Sequence, residues 1–114
     1  PPGTTCSMVQ AVGSSDYCIL VAENTPFGYH DAKLALEAVD NLGVPLGVII
    51  NRSDIGSSGL EEYLGKKGIP VLMRIPFSEE IAAAYSKGIP FVKVLPEYRQ
   101  KLHELFEHIR EELV

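Results

Sequence analysis

Apolar residues in this chain follow two rhythms, short solid runs and stripes spaced three or four residues apart. Asp16 to Glu23 (DYCILVAE), Leu46 to Asn51 (LGVIIN) and Ile69 to Ile75 are runs with few polar interruptions. Runs of this length, bounded by turn residues, predict strands buried on both faces. Pro70 is acceptable because it stands at the start of its strand.

Between the runs the spacing changes. His30 to Leu42 carries Ala32, Ala35, Leu36, Val39 and Leu42 on one stripe, and Gly43 and Pro45 supply the stop. Leu60 to Lys67 is a shorter helix closed by Gly68. Ser78 caps a helix from Glu79 to Lys87, closed by Gly88. Pro96 suits the first turn of a last helix reaching Leu113. That helix places Tyr98, Leu102, Leu105, Phe106, Ile109 and Leu113 on one side and charged residues on the other. A short apolar helix from Cys6 to Val12 precedes the first strand. Asn24 to Tyr29, with Thr25, Pro26 and Gly28, reads as a loop, as does Ser53 to Gly59.

Solid strands alternating with helices predict an α/β fold, a parallel sheet with helices on both faces in a three-layer sandwich. No repeat, low-complexity tract or long linker divides the 114 residues, so one domain is expected. Composition is ordinary for a globular protein, with 46% hydrophobic and 22% charged residues. A net charge of -5 argues against nucleic acid as the main partner. The apolar runs are too short and broken to predict a membrane span. Cys6 and Cys18 lack partners at metal-ligand spacing, and Cys18 reads as a small buried side chain. The start at Pro1-Pro2-Gly3 rather than Met suggests a piece of something longer.

Ligands of open parallel sheets sit beyond the carboxyl ends of the strands. Here that rule selects Pro1 to Thr5, Glu23 to Gly28, Asn51 to Ser58 and Ile75 to Ser78. Gly3 permits close backbone approach to an anion, and Thr4 or Thr5 can cap the helix that follows; an ordinary helix-entry turn explains both as well. Asn51 offers the acceptor and donors that an adenine edge requires, with Arg52 able to stack or pair; Asn51 closing a turn on its own backbone is the alternative. His30-Asp31 fits a capping first turn better than acid–base chemistry. His103 and His108 stand apart on the last helix, which argues against a shared metal. No G-x-x-x-x-G-K-[ST], G-x-G-x-x-G or G-x-S-x-G occurs, and Gly56-Ser57-Ser58-Gly59 has no lysine, so it reads as a loop.

Pro1-Pro2-Gly3-Thr4, Glu23 with Thr25-Pro26-Phe27-Gly28, His30-Asp31 with Lys33-Leu34-Ala35, Gly47 to Arg52, and Ile75-Pro76-Phe77 occur in that order. In this order they resemble the MinD/ParA/Mrp-like P-loop ATPases, and most of all the MinD-superfamily ATPases with an inserted ferredoxin domain. The likeness runs to about Pro90. It implies the C-terminal portion of a nucleotide-binding P-loop domain, without the Walker A half. By the same resemblance Gly3 is the switch glycine that senses the γ-phosphate, Asn51 reads adenine with Arg52 beside it, and Ile75-Pro76 packs along the base. Asn24 departs from the family, where Pro is frequent, and Ser78 stands where Asp is frequent.

The resemblance further implies ATP and Mg²⁺ as cofactors of the parent protein, with iron–sulfur clusters upstream and none bound to this chain. Expected partners are a nucleotide and either another copy or the chain's own N-terminal half, in the cytoplasm. The parent would be an ATP hydrolase and this chain alone inactive. The alternatives are a non-catalytic α/β partner-binding module and, last, a flavin or electron-transfer protein.

Overall fold

The computed structural model describes residues 6–53 and 59–113. They belong to two compact units, Pro1–Pro76 and Phe77–Val114.

The first unit contains α1 (Cys6–Gly13), β1 (Cys18–Glu23), α2 (Pro26–Asp40), β2 (Leu46–Asn51), α3 (Leu60–Lys67) and β3 (Val71–Ile75). The strands are parallel and lie in the order β1-β2-β3, so each helical crossover leads to the next neighbour. This is the α/β architecture that the alternating rhythms predict. β1 and β2 keep one register from Cys18 opposite Leu46 to Glu23 opposite Asn51. Between β2 and β3 the register slips: Val48 faces Val71 but Ile49 faces Met73, leaving Leu72 as an extra residue. Gly47 makes room for it. A Cβ there would lie 2.6 Å from the Leu72 side chain and 2.7 Å from the Tyr17 hydroxyl.

The core joins Ala22, Val48 and Ile50 of the sheet to Ala32 and Leu36 of α2 and Leu60 and Leu64 of α3. Alternate strand residues share a face, so α2 and α3 cover the same one. Burying each leucine contributes about 1.5–3 kcal/mol. The other β1 residues behave differently from the expectation of two buried faces. Ile19 is 42% and Val21 62% exposed, because β1 is the edge of the sheet formed by the described residues. β2, in the middle, buries all of Gly47 to Ile50.

α2 begins at Pro26, four residues before the expected His30. Thr25 is extended, and its hydroxyl accepts a bond from the Gly28 N–H at 3.0 Å. Pro26 then fills the first helical position, where its missing N–H costs nothing. Residues read as loop formers are here a helix start. α3 has the expected bounds, closed by Gly68 in the left-handed conformation (φ 70°). Tyr29 of α2 meets Tyr63 of α3 edge to face at 5.8 Å.

The second unit contains α4 (Glu79–Ser86), α5 (Phe91–Val94) and α6 (Glu97–Glu112). Ser78 caps α4 as expected, its hydroxyl accepting from the Ile81 N–H. α5 is a single turn absent from the periodicity; its Phe91 packs on Tyr98 with ring centres 5.4 Å apart. In α6 Tyr98 and Ile109 are buried, whereas Phe106, expected on the same side, is largely exposed. Among the described residues no helix is long and apolar enough to cross a membrane.

Candidate functional site

The parallel register sets Glu23, Asn51 and Ile75 side by side at the carboxyl ends of the strands. It thereby brings together four residues singled out in the sequence: Asn51, which ends β2, with Arg52 after it, and Ile75, which ends β3, with Pro76 after it. Gly3, with the whole Pro1 to Thr5 segment, lies outside the described residues, as do residues 54–58.

Backbone and side-chain bonds fix this row. The Asn24 N–H donates to the Asn51 carbonyl at 3.2 Å, and the Ser53 N–H donates to the Ile75 carbonyl at 3.1 Å. The Asn24 side-chain amide donates to the Ser53 carbonyl at 3.1 Å. Asn24 is therefore buried, at 8% exposure, and holds the turn after β2 at two points. Arg52 lies between those points with φ 54°, the single non-glycine residue of positive φ among those described. An L-residue in this conformation costs about 1–2 kcal/mol, and such positions concentrate at functional sites.

The Asn51 side-chain oxygen accepts a bond from the Arg52 N–H at 3.0 Å. This is the local turn closure weighed against base reading. It occupies one lone pair of the oxygen; an amide of this kind has a second lone pair and two N–H donors for other partners. Arg52 is half-buried and Pro76 exposed, so the row presents both a polar and an apolar rim. Sequence reasoning missed Asn24 as a contributor and marked it merely as a departure. Its signal is a polar residue placed directly after an apolar run, where a proline would have no N–H for the Asn51 carbonyl.

The Glu23 to Gly28 loop is tight. A Cβ on Gly28 would lie 2.9 Å from the Glu23 carbonyl carbon and 3.0 Å from its Cβ, and closer still to the carbonyl oxygen. Gly28 thus lets α2 start directly against the end of β1. Phe27 stands exposed on its rim. His30 and Asp31 lie on the exposed side of α2, and His108 pairs with Glu112 at 3.1 Å. No group of three His, Cys, Asp or Glu is placed to hold a metal among the described residues. Burial pushes the Cys18 thiol above its ordinary pKa.

A separate groove of about 570 Å³ runs beside β1. Met8 and Val12 of α1, Ile19 and Val21 of β1, and Ala32 and Ala35 of α2 line it, whereas Asn51, Arg52, Ile75 and Pro76 do not.

Fold and site define an α/β protein with a bonded row of polar and apolar residues at the carboxyl edge of a parallel sheet. No protein-family model matches the chain. It is 35% identical over 91 residues to an uncharacterised protein of Methanocaldococcus jannaschii. The match covers 80% of this chain but 30% of that protein, so the chain spans about a third of its relative's length.

Proposed function

We propose that this chain is the base-reading portion of a nucleotide-binding domain of the MinD/ParA/Mrp-like type, in which helices clad both faces of a larger sheet. ATP and Mg²⁺ serve the whole protein, and the phosphate-handling lysines lie outside these residues. Asn51 addresses the adenine edge, Arg52 stacks on or pairs beside it, and Ile75-Pro76 forms the apolar side. The observation that carries this reading is the shared row: residues 24 positions apart in sequence, Asn51 and Ile75, face each other at the strand ends. Strand ends of this kind are where open parallel sheets take ligands.

Nuclear magnetic resonance titration of the chain with ATP and GTP tests it. Expected are weak shifts centred on Asn51, Arg52, Ile75 and their neighbours, larger for ATP, with no hydrolysis above background. Shifts elsewhere, or equal shifts with both nucleotides, would remove the base-reading role. Tight binding or turnover by this chain alone would overturn the claim that it is incomplete. A second reading, a partner-binding α/β module, draws on the Asn51 oxygen being engaged in its own turn; it calls for no response to either nucleotide.

A further inference from the structure

Among the described residues β1 is a sheet edge without the usual protection. The Cys18 N–H donates to the Pro45 carbonyl and the Asn24 N–H to the Asn51 carbonyl, both toward β2. Backbone groups alternate in direction along a strand. Leu20 and Ala22 therefore also turn toward β2. The N–H and C=O groups of Ile19 and Val21, and the N–H of Glu23, point to the open side.

Natural open edges carry lysine, proline, a bulge or an inward charge, because a bare edge recruits other strands. Cys18 to Ala22 has none of these: its register with β2 is unbroken, and the first charge is Glu23. The groove beside this edge is apolar over most of its length, with Glu23 and Asp31 as its charged lining residues. α1 packs against α2 and contributes Met8 and Val12 to the groove.

The geometry points to a parallel, apolar β-strand as the occupant, supplied by polypeptide beyond these 114 residues. Its direction continues that of the three strands present. With α1 and α2 contributing to its surroundings, its residues form a solid apolar run rather than an alternating one. A source exists in a protein of the relative's size, since the match leaves 70% of that protein outside it, the remainder of the 30% covered. A second copy fits less well. It would bring its own α2, packed on its own β1, to a place that α1 already lines. This inference is independent of the nucleotide reading, because the edge and the groove exist whatever the strand ends bind.

The test adds a capped synthetic peptide, KVIVAVIK, to the ¹⁵N-labelled chain and follows amide hydrogen exchange. Expected is a slowing of roughly tenfold or more at Ile19, Val21 and Glu23, with inter-strand contacts in the parallel sense. A peptide with proline at its centre should give none. Val21→Pro removes one outward N–H while leaving the β2 bonds in place, and should abolish the protection. Unchanged exchange at saturating peptide, or protection at another surface, overturns the proposal. So does a dimer in light scattering whose Ile19 and Val21 amides are already protected without peptide, because the occupant is then a second copy. Shifts with nucleotide but none with peptide would sink this inference and leave the nucleotide reading standing.

Discussion

Gly28→Ala isolates the close approach between the end of β1 and the start of α2. The added methyl would stand 2.9 and 3.0 Å from two carbons of Glu23, where carbon atoms prefer about 3.5–4.0 Å. Two of the three atoms it meets are backbone, so no side-chain rotation relieves the overlap. The first turn of α2 must lift, or the end of β1 must bend. Overpacking of this kind costs about 1–3 kcal/mol, and alanine's helix preference over glycine returns up to about 1 kcal/mol. The net loss is about 1–2 kcal/mol, a fall in Tm of roughly 4–16 °C for a domain of this size. Gly65→Ala is the internal control. It makes the same chemical change inside α3, where a Cβ meets nothing within 4 Å. There alanine should stabilise by about 0.5–1 kcal/mol. Thermal melts followed by circular dichroism, with urea titrations beside them, read both. If Gly28→Ala melts at or above the unmodified chain, or if the two variants shift together, the steric reasoning is wrong.

Asn24→Ala should lower stability by about 1–3 kcal/mol, because a buried bond to the Ser53 carbonyl is lost; a urea midpoint equal to that of the parent chain would refute the clamp. Cys18 should alkylate more slowly in the folded chain than in urea at about pH 8, as resolved by mass spectrometry at that site; equal rates would count against its burial. The same raised pKa fixes the sign of a stability effect. The contribution is complete below the thiol's ordinary value of 9.0. Above it the unfolded chain ionises first, so stability declines as the pH climbs through the folded pKa. Urea midpoints that stay level through this alkaline range in the parent chain but not in Cys18→Ala would contradict that sign.

The strands were legible because their apolar runs are solid and end in turn residues. α3 was legible because glycines flank it: Gly59 and Gly68 both adopt positive φ. The start of α2 was not, since Thr25, Pro26 and Gly28 are equally residues of loops and of helix entry. α5 is too short to show a period. The edge position of β1 was hidden for another reason. Its apolar run resembles that of β2, and strand order is a property of pairing rather than of either segment. Asn51 and Arg52 stood out by residue type, while the part played by Asn24 depends on Ser53, 29 residues away. The left-handed backbone at Arg52 likewise has no mark in its own side chain.

The extra residue in β3 has a consequence for the chemistry at the strand ends. Each inserted residue reverses the phase of a strand, exchanging the sides on which its later side chains stand. Had the pairing of Val48 with Val71 continued without Leu72 as an insertion, Arg74 would have come opposite Asn51. Instead Ile75 does, and Arg74 turns to the side of α3, where it forms an ion pair with Glu61. Drawing Leu72 into the ladder opposite Ile49 would therefore do more than straighten a strand. It would set a guanidinium where an uncharged wall now stands beside Asn51, and leave Glu61 without its cation. The polarity of this row is written in the phase of β3 as much as in the residues that form it.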